Sequence, residues 1–221
     1  MLREHRTNKP TIPGGECTVT RPANPELPGK ILDAAERIVA SQGHDALNMR
    51  RLAGAAGVTP TTLYYYFESK NHILAQIKLR AAKRLNGKLQ RMDLTDPVHA
   101  LRELARAYIA FAEENPKLYR VFTKRLPRHS LLTEEEHKTL HFPYVAAERA
   151  LEALKQGGTR EIDPRSKAME GWILLHGFAS LLASGALETV VGLDREELKA
   201  VFFNIYTGGL GPSGGSRKDD R

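Results

Sequence analysis

The sequence contains very little cysteine and no long apolar segment. Cys17 is the only cysteine among 221 residues, which excludes an internal disulfide framework and is typical of a reducing compartment. No apolar run approaches the roughly 20 residues of a membrane-spanning helix, and residues 1–29 contain no continuous apolar segment like that of a secretory signal. We therefore expect a cytoplasmic protein without a membrane segment. Cys17 would be a free thiol in a flexible tail or, alternatively, the site of an intermolecular disulfide.

Short signatures of several enzyme classes are also missing. The sequence has no Gly-x-Ser-x-Gly, no phosphate-binding loop and no dinucleotide-binding fingerprint. His137 and His141 are four residues apart, with Glu134 three residues before His137, which is a metal-ligand spacing. A polar helix face explains these residues without a metal. We expect no catalytic residue, metal or cofactor, and the alternative is a metal-dependent helical-bundle enzyme.

Charge is unevenly distributed along the chain. The net charge of +7 divides into +1 for residues 1–29, +7 for residues 30–91 and −1 for residues 92–221. A basic segment beside a neutral remainder is typical of a nucleic-acid-binding module on a larger body. A solvated basic face without a partner is the alternative.

The basic segment contains a pattern of two short helices joined by a tight turn. Asn48 is a suitable N-cap for the first helix, and Gly57 can end it in the left-handed conformation. Thr59 is a suitable cap for the second helix, with Pro60 at its first position. Ser69 then caps a longer third helix.

The second of these helices has two different sides. Leu63 and Phe67 are four residues apart and can pack against the first helix, whereas hydroxyl and aromatic side chains remain outside. Threonine can contact base edges, and tyrosine hydroxyls can donate to phosphates. The pattern predicts a helix-turn-helix with residues 60–67 as the recognition helix. A helical hairpin of an ordinary all-α protein, with packed tyrosines, is the alternative.

Helical periodicity extends over most of the chain. Residues 1–27 and 211–221 have no apolar period and are predicted to be disordered; the basic residues of the first tail could touch DNA or be passive. Pro143 predicts a break in its helix. The predicted helices begin near Pro28 and then span about 48–56, 60–67, 70–92, 96–115, 117–126, 133–156, 163–187 and 194–209.

These elements resemble the TetR family of bacterial transcriptional regulators over about residues 28–85. The residues that carry the resemblance are Gly43, Leu47–Ala53, Gly57-Val58-Thr59, Thr62–Phe67 and Ser69-Lys70. Tyr66 stands where a histidine is common in the family. The resemblance implies an all-α fold, with a helix-turn-helix domain over residues 28–88 and a C-terminal domain for effector binding and dimerisation over residues 89–210.

The resemblance also implies roles for individual residues. Side chains that would meet base edges are Arg50, Thr61, Thr62 and Tyr65. Side chains that would mostly hold phosphates are Asn48, Tyr64, Tyr66 and Lys70.

In the C-terminal domain, Trp172 with His176-Gly177 resembles a Trp…His-Gly subgroup of these regulators, and Asn115–Tyr119 fits the same subgroup. The candidate effector pocket consists of Tyr108, Phe111, Tyr119, Phe122, Trp172 and His176. The alternative is that the aromatic side chains are core and that His176 is a buried histidine bonded to the backbone or to a tyrosine.

The family's arrangement implies how such a protein would work. The helices at about 163–187 and 194–209 would pair across a homodimer, although they could instead complete a monomer core. The dimer would repress transcription from a palindromic operator until a small molecule, by moving helix 70–91, caused release. A helical interaction protein without specific DNA binding is a further alternative.

Overall fold

The computed structural model describes residues 24–90, 93, 95–125, 132–158, 162–208 and 210. Every regular element in these ranges is helical, which confirms the predicted all-α fold, and none of the described helices is long and apolar enough to cross a membrane. A turn of 3-10 helix, His44–Ala46, follows the first helix. The α-helices are α1 (Leu27–Gln42), α2 (Met49–Ala56), α3 (Pro60–Tyr66), α4 (Lys70–Leu89), α5 (Pro97–Glu114), α6 (Pro116–Thr123), α7 (Glu134–Gln156), α8 (Pro164–Ser184), α9 (Ala186–Val191) and α10 (Arg195–Gly208).

Side-chain caps fix where most of these helices begin. In each case a side-chain oxygen accepts a hydrogen bond from the backbone N–H three residues further on. At α7 the arrangement is a full capping box, in which Glu136 also bonds back to Thr133. The capping residues are Asn48, Thr59, Ser69, Asp96, Thr133, Asp163 and Asp194.

A small three-helix unit occupies the N-terminal end of the described chain. Leu47, Leu52 and Leu63 belong to its core and are at most 1% exposed. The apolar side of α4 continues this core into the C-terminal helices, where it packs against α5, α6 and α7. The helix α4 therefore belongs to both halves of the protein.

Ion pairs and hydrogen bonds also hold α4 against α1. The Arg80 guanidinium pairs with Asp33 at 2.6 Å and donates to the carbonyl of Gly29 at 3.3 Å. Arg84 pairs with Glu36, whose side chain is only 15% exposed. Partly buried guanidinium groups with several hydrogen bonds contribute more to stability than isolated surface ion pairs do. These contacts therefore hold α1 and α4 together as one unit.

Several predicted boundaries are wrong by a few residues. The helix predicted at 117–126 begins at Pro116 and ends at Thr123. The helix predicted at 163–187 ends at Ser184, because Gly185 takes the left-handed conformation and a separate helix, α9, follows. Leu27, in the predicted N-terminal tail, already belongs to α1. The helix predicted to run to Met92 ends at Leu89, with Gln90 as its C-cap. The predictions for residues 1–23 and 211–221 lie outside the described residues.

The predicted break at Pro143 is also wrong, because α7 is continuous through this residue. Proline has no N–H, so the carbonyl of Thr139, four residues earlier, lacks its usual helical partner. The side-chain amide of Asn86 on α4 donates to that carbonyl at 2.8 Å. A neighbouring helix thus supplies the hydrogen bond that proline removes.

Candidate DNA-binding surface and effector cluster

A left-handed glycine makes the turn between α2 and α3. Gly57 has φ 67° and ψ 31°, and the N–H groups of Gly57 and Val58 bond back to the carbonyls of Gly54 and Ala53. Glycine adopts this conformation without the steric cost that a side chain would add. The turn is therefore short, as the sequence predicts.

The recognition-helix candidate α3 is anchored by one side. Leu63 is fully buried and Phe67 is 3% exposed. The Thr59 side chain accepts a hydrogen bond from the N–H of Thr62 at 3.1 Å, and Pro60 occupies the first position of the helix. These contacts fix the pose of α3 and leave its other side facing outwards.

Four of the eight predicted DNA-contacting side chains have free, exposed surfaces. Tyr65 is 74% exposed and Tyr64 53%, and Arg50 and Thr61 are exposed beside them. Large exposed aromatic side chains on a helix that is otherwise well packed are typical of a surface that receives a partner.

The remaining four predicted residues have structural contacts of their own. The Asn48 side chain caps α2, and the Thr62 hydroxyl shares a hydrogen bond of 2.9 Å with the Thr59 hydroxyl. Tyr66 and Lys70 are half-buried. If these residues contact DNA, they would do so with atoms that are not already used in these intramolecular contacts.

The six predicted effector-pocket residues come together as one aromatic cluster between α5, α6 and α8. The Tyr108 hydroxyl and Nδ1 of His176 share a hydrogen bond of 2.9 Å. The Trp172 ring stacks on the His176 ring, with centroids 5.3 Å apart. Tyr108 and Tyr119 meet edge to face. The cluster consists of Tyr108, Phe111, Tyr119, Phe122, Trp172 and His176.

Burial favours the neutral forms of the titratable groups in this cluster. It raises the pKa of the Tyr108 and Tyr119 hydroxyls and lowers the pKa of His176. The Lys78 ammonium lowers the pKa of His176 further. At neutral pH the cluster is therefore uncharged, with His176 as a neutral hydrogen-bonding imidazole.

Lys78 of α4, which is not among the predicted site residues, acts on His176 through its charge. Its side chain is half-buried, burial lowers its pKa, and its ammonium donates to the carbonyl of Lys124 at 3.1 Å. The residue interrupts the apolar period of α4, and this interruption is the signal that could have identified it. Lys78 thus places a charge of α4 close enough to the aromatic cluster to affect His176.

A second apolar surface covers the outer side of α8 and α10. Its large side chains are about half exposed or more, which is typical of a surface that receives a partner. The exposed apolar residues are Met169, Trp172, Ile173, Leu181, Val201 and Ile205.

The candidate metal residues do not form a site. Glu134, His137 and His141 are all exposed on α7. Across the parts of the chain that the structure describes, no three His, Cys, Asp or Glu side chains are grouped so that they could hold a metal ion.

The fold and this surface define a helix-turn-helix protein with a helical C-terminal domain. Residues 31–77 match the family of bacterial regulatory proteins of the tetR type, and residues 101–202 match the tetracyclin repressor-like C-terminal domain. The chain belongs to the TetR family of bacterial regulatory proteins.

Curated relatives agree with this assignment over part of their length. A helix-turn-helix transcriptional regulator of Mycobacterium tuberculosis is 30% identical over 100 residues, or 44% of this chain and 50% of that protein. The transcriptional repressor KstR of Rhodococcus jostii is 27% identical over 127 residues, or 56% of this chain and 60% of that protein. The first-matched relatives are thus covered over about half of their length.

Solved structures share the fold. The structure of AibR in complex with isovaleryl coenzyme A and operator DNA has a TM-score of 0.56 and 20% identity, covering 81% of this chain and 97% of that chain. A protein from Rhodococcus sp. RHA1 has a TM-score of 0.70 and 22% identity, covering 86% of this chain and 98% of that chain. At these identities the likeness concerns the fold alone.

Two glycines of the helix-turn-helix provide a matched test of the turn. An added Cβ would meet nothing within 4 Å at either Gly54 or Gly57. Gly57→Ala should lower the free energy of unfolding by about 1–2 kcal/mol because its φ is positive, whereas Gly54→Ala, within α2, should raise it by up to about 1 kcal/mol. Urea unfolding of both variants measures this. Equal effects of the two substitutions would contradict the account of the turn.

The lowered pKa of His176 predicts a pH dependence of stability. As the pH falls through the ordinary value of 6.5, the unfolded chain takes up this proton before the folded protein does, so the stabilisation present at higher pH is lost. His176→Gln should reduce the loss of stability between about pH 7.5 and 5.5, whereas the exposed control His141→Gln should not. Identical slopes for wild type and His176→Gln would refute the assignment.

Proposed function

We propose that the protein regulates transcription by binding a palindromic DNA site as a homodimer, with α3 as the recognition helix. The observation that carries this is the exposed side of α3, with Tyr64 and Tyr65 outermost, within the segment that holds the whole positive charge excess. Threonine and tyrosine suit base edges and phosphates in a major groove. Arg50, Thr61, Thr62 and Tyr65 would contact bases, and Asn48, Tyr64, Tyr66 and Lys70 would contact phosphates.

The exposed apolar side of α8 and α10 supports the dimer. A second copy of the same surface, related by a two-fold axis, would cover both helices and form a four-helix interface. The same axis would direct two copies of α3 towards successive major grooves of one DNA face. Ile173 and Ile205, which are 57% and 65% exposed in the isolated chain, would be buried there.

The aromatic cluster around Tyr108 and His176 is the effector site in this proposal. It lies among helices that pack against α4, and Lys78 of α4 reaches it. A small molecule that opened the cluster would therefore act directly on the helix shared with the DNA-binding unit. Release of DNA requires that the effector bind the non-DNA conformation more tightly. The protein would act as a cytoplasmic repressor.

DNA selection tests the function directly. Selection from random duplexes with the full chain should yield a palindrome with half-sites separated by whole helical turns. Lys70→Ala should weaken binding to all duplexes and lower the salt slope by about one, whereas Tyr65→Ala should relax the preference for the selected sequence. Gel shifts at several salt concentrations measure both effects. The absence of any enriched palindrome would contradict the proposed function.

A charge substitution tests the dimer. Ile173→Glu together with Ile205→Glu would bury unpaired carboxylates in the interface, so the dimer should dissociate to monomers in sedimentation equilibrium. Tyr64→Glu places the same charge on an exposed aromatic residue of α3 and serves as the matched control, which should remain dimeric. If the double variant stays dimeric, the dimer interface does not include this side of α8 and α10.

A further inference from the structure

Asn86 on α4 donates to a carbonyl of α7 that Pro143 leaves without its helical partner. Pro143 cannot donate to the carbonyl of Thr139, and Asn86 donates to it instead at 2.8 Å across 53 residues of sequence. Asn86 is only 5% exposed, in the apolar side of α4 next to Leu85. A buried N–H donor is costly without a partner, and so is a buried carbonyl. The Asn86 side-chain NH2 group and the Thr139 carbonyl satisfy each other, whereas Oδ1 of Asn86 has no hydrogen-bond partner among the described residues.

The contact lies beside an open groove between α4 and α7, two helices that pack extensively against each other. A groove of about 440 Å³ runs beside Asn86 between α4 and α7, lined by Lys83, Gly87 and Gln90 on α4 and by residues such as Phe142 on α7. Apolar side chains can slide along one another at small cost, whereas a short hydrogen bond to one particular carbonyl tolerates little displacement. The Asn86 contact therefore adds a directional constraint to the register of α4 on α7.

The position of α4 along α7 also determines the position of the three-helix unit at the N-terminal end of the described chain. Arg80 and Arg84 tie it to α1, so the three-helix unit moves with it. A second polar contact with α7, from Gln76 to Glu136 at 3.2 Å, involves a side chain at the exposed start of α7. Asn86 is the buried contact, close to the end of α4.

We propose that Asn86 is a positioning residue: through the carbonyl that Pro143 leaves free, it fixes α4 on α7 and thereby sets the separation of the two recognition helices. This inference rests on the proposed function, since it concerns two copies of α3 on one palindrome. Asn86 need not touch DNA or effector for this role.

A double-mutant cycle tests the hydrogen bond in the full chain. Asn86→Leu should lower the Tm by about 2–10 °C, because it leaves the Thr139 carbonyl unpartnered. In a Pro143→Ala background the same substitution should cost less than about half as much, because residue 143 then supplies an N–H to that carbonyl. Gln90→Leu replaces an exposed amide of the same groove and should change the Tm by no more than about 2 °C.

DNA-binding measurements on the same variants distinguish a positioning role of Asn86 from an effect on stability alone. The measurement is the affinity of each variant for the selected palindrome, for a single half-site, and for palindromes with one base pair added or removed at the centre. Asn86→Leu should lower affinity for the selected palindrome by roughly tenfold, lose the preference for its spacing and leave half-site affinity within about twofold. The Asn86→Leu, Pro143→Ala double variant should recover stability without recovering the spacing preference.

Two results would overturn the proposal. If Pro143→Ala restores both the stability and the spacing preference of Asn86→Leu, then Asn86 only satisfies a carbonyl. If a palindrome is selected and Asn86→Leu keeps the wild-type spacing preference, α4 is positioned by other contacts, while the proposed function stands. A selection without any palindrome removes the proposed function itself and this inference with it.

Discussion

The protein depends on one helix that serves two cores. The apolar side of α4 closes the three-helix unit at its first turns and packs into the C-terminal helices further on. Guanidinium pairs hold it to α1, and the Asn86 amide holds it to α7 at 2.8 Å. Any change in the C-terminal helices that displaces α4 must therefore displace α3 as well, because the units between them are packed rather than linked by a flexible segment.

This arrangement connects two candidate sites of different character. The exposed side of α3 is rigid in pose and rich in hydroxyl and aromatic groups, which suits a partner of fixed shape such as duplex DNA. The aromatic cluster is uncharged and mostly buried, with Trp172 48% exposed at its edge. Burial and the Lys78 ammonium keep His176 neutral, which suits a small molecule that competes for the Tyr108 hydrogen bond. The proximity of Lys78 couples the second site to the helix that carries the first.

Local features of the sequence were sufficient to predict the helix-turn-helix unit. Asn48, Gly57, Thr59 and Ser69 determine helix ends through bonds to atoms within four residues, so each cap could be recognised from its neighbours. The helix after Asp163 was predicted too long because the apolar pattern continues beyond Gly185, and only the backbone conformation shows the stop. Continuity at Pro143 was unpredictable for a different reason: its compensating donor, Asn86, is distant in sequence. The assembly of the aromatic cluster was expected from the family resemblance. The effect of Lys78 on His176 was not, because it depends on how α4 packs against the other helices.

The central claim is that two copies of α3 read two major grooves on one face of DNA. Chemical protection of guanine N7 atoms, which lie in the major groove, tests it most directly when the full chain is bound to duplex DNA carrying its selected site. The account predicts two protected patches separated by one helical turn, or about 34 Å, and loss of both when Tyr65 and Lys70 are replaced by alanine. A single patch, or guanine N7 atoms that stay unprotected throughout the bound site, would contradict it.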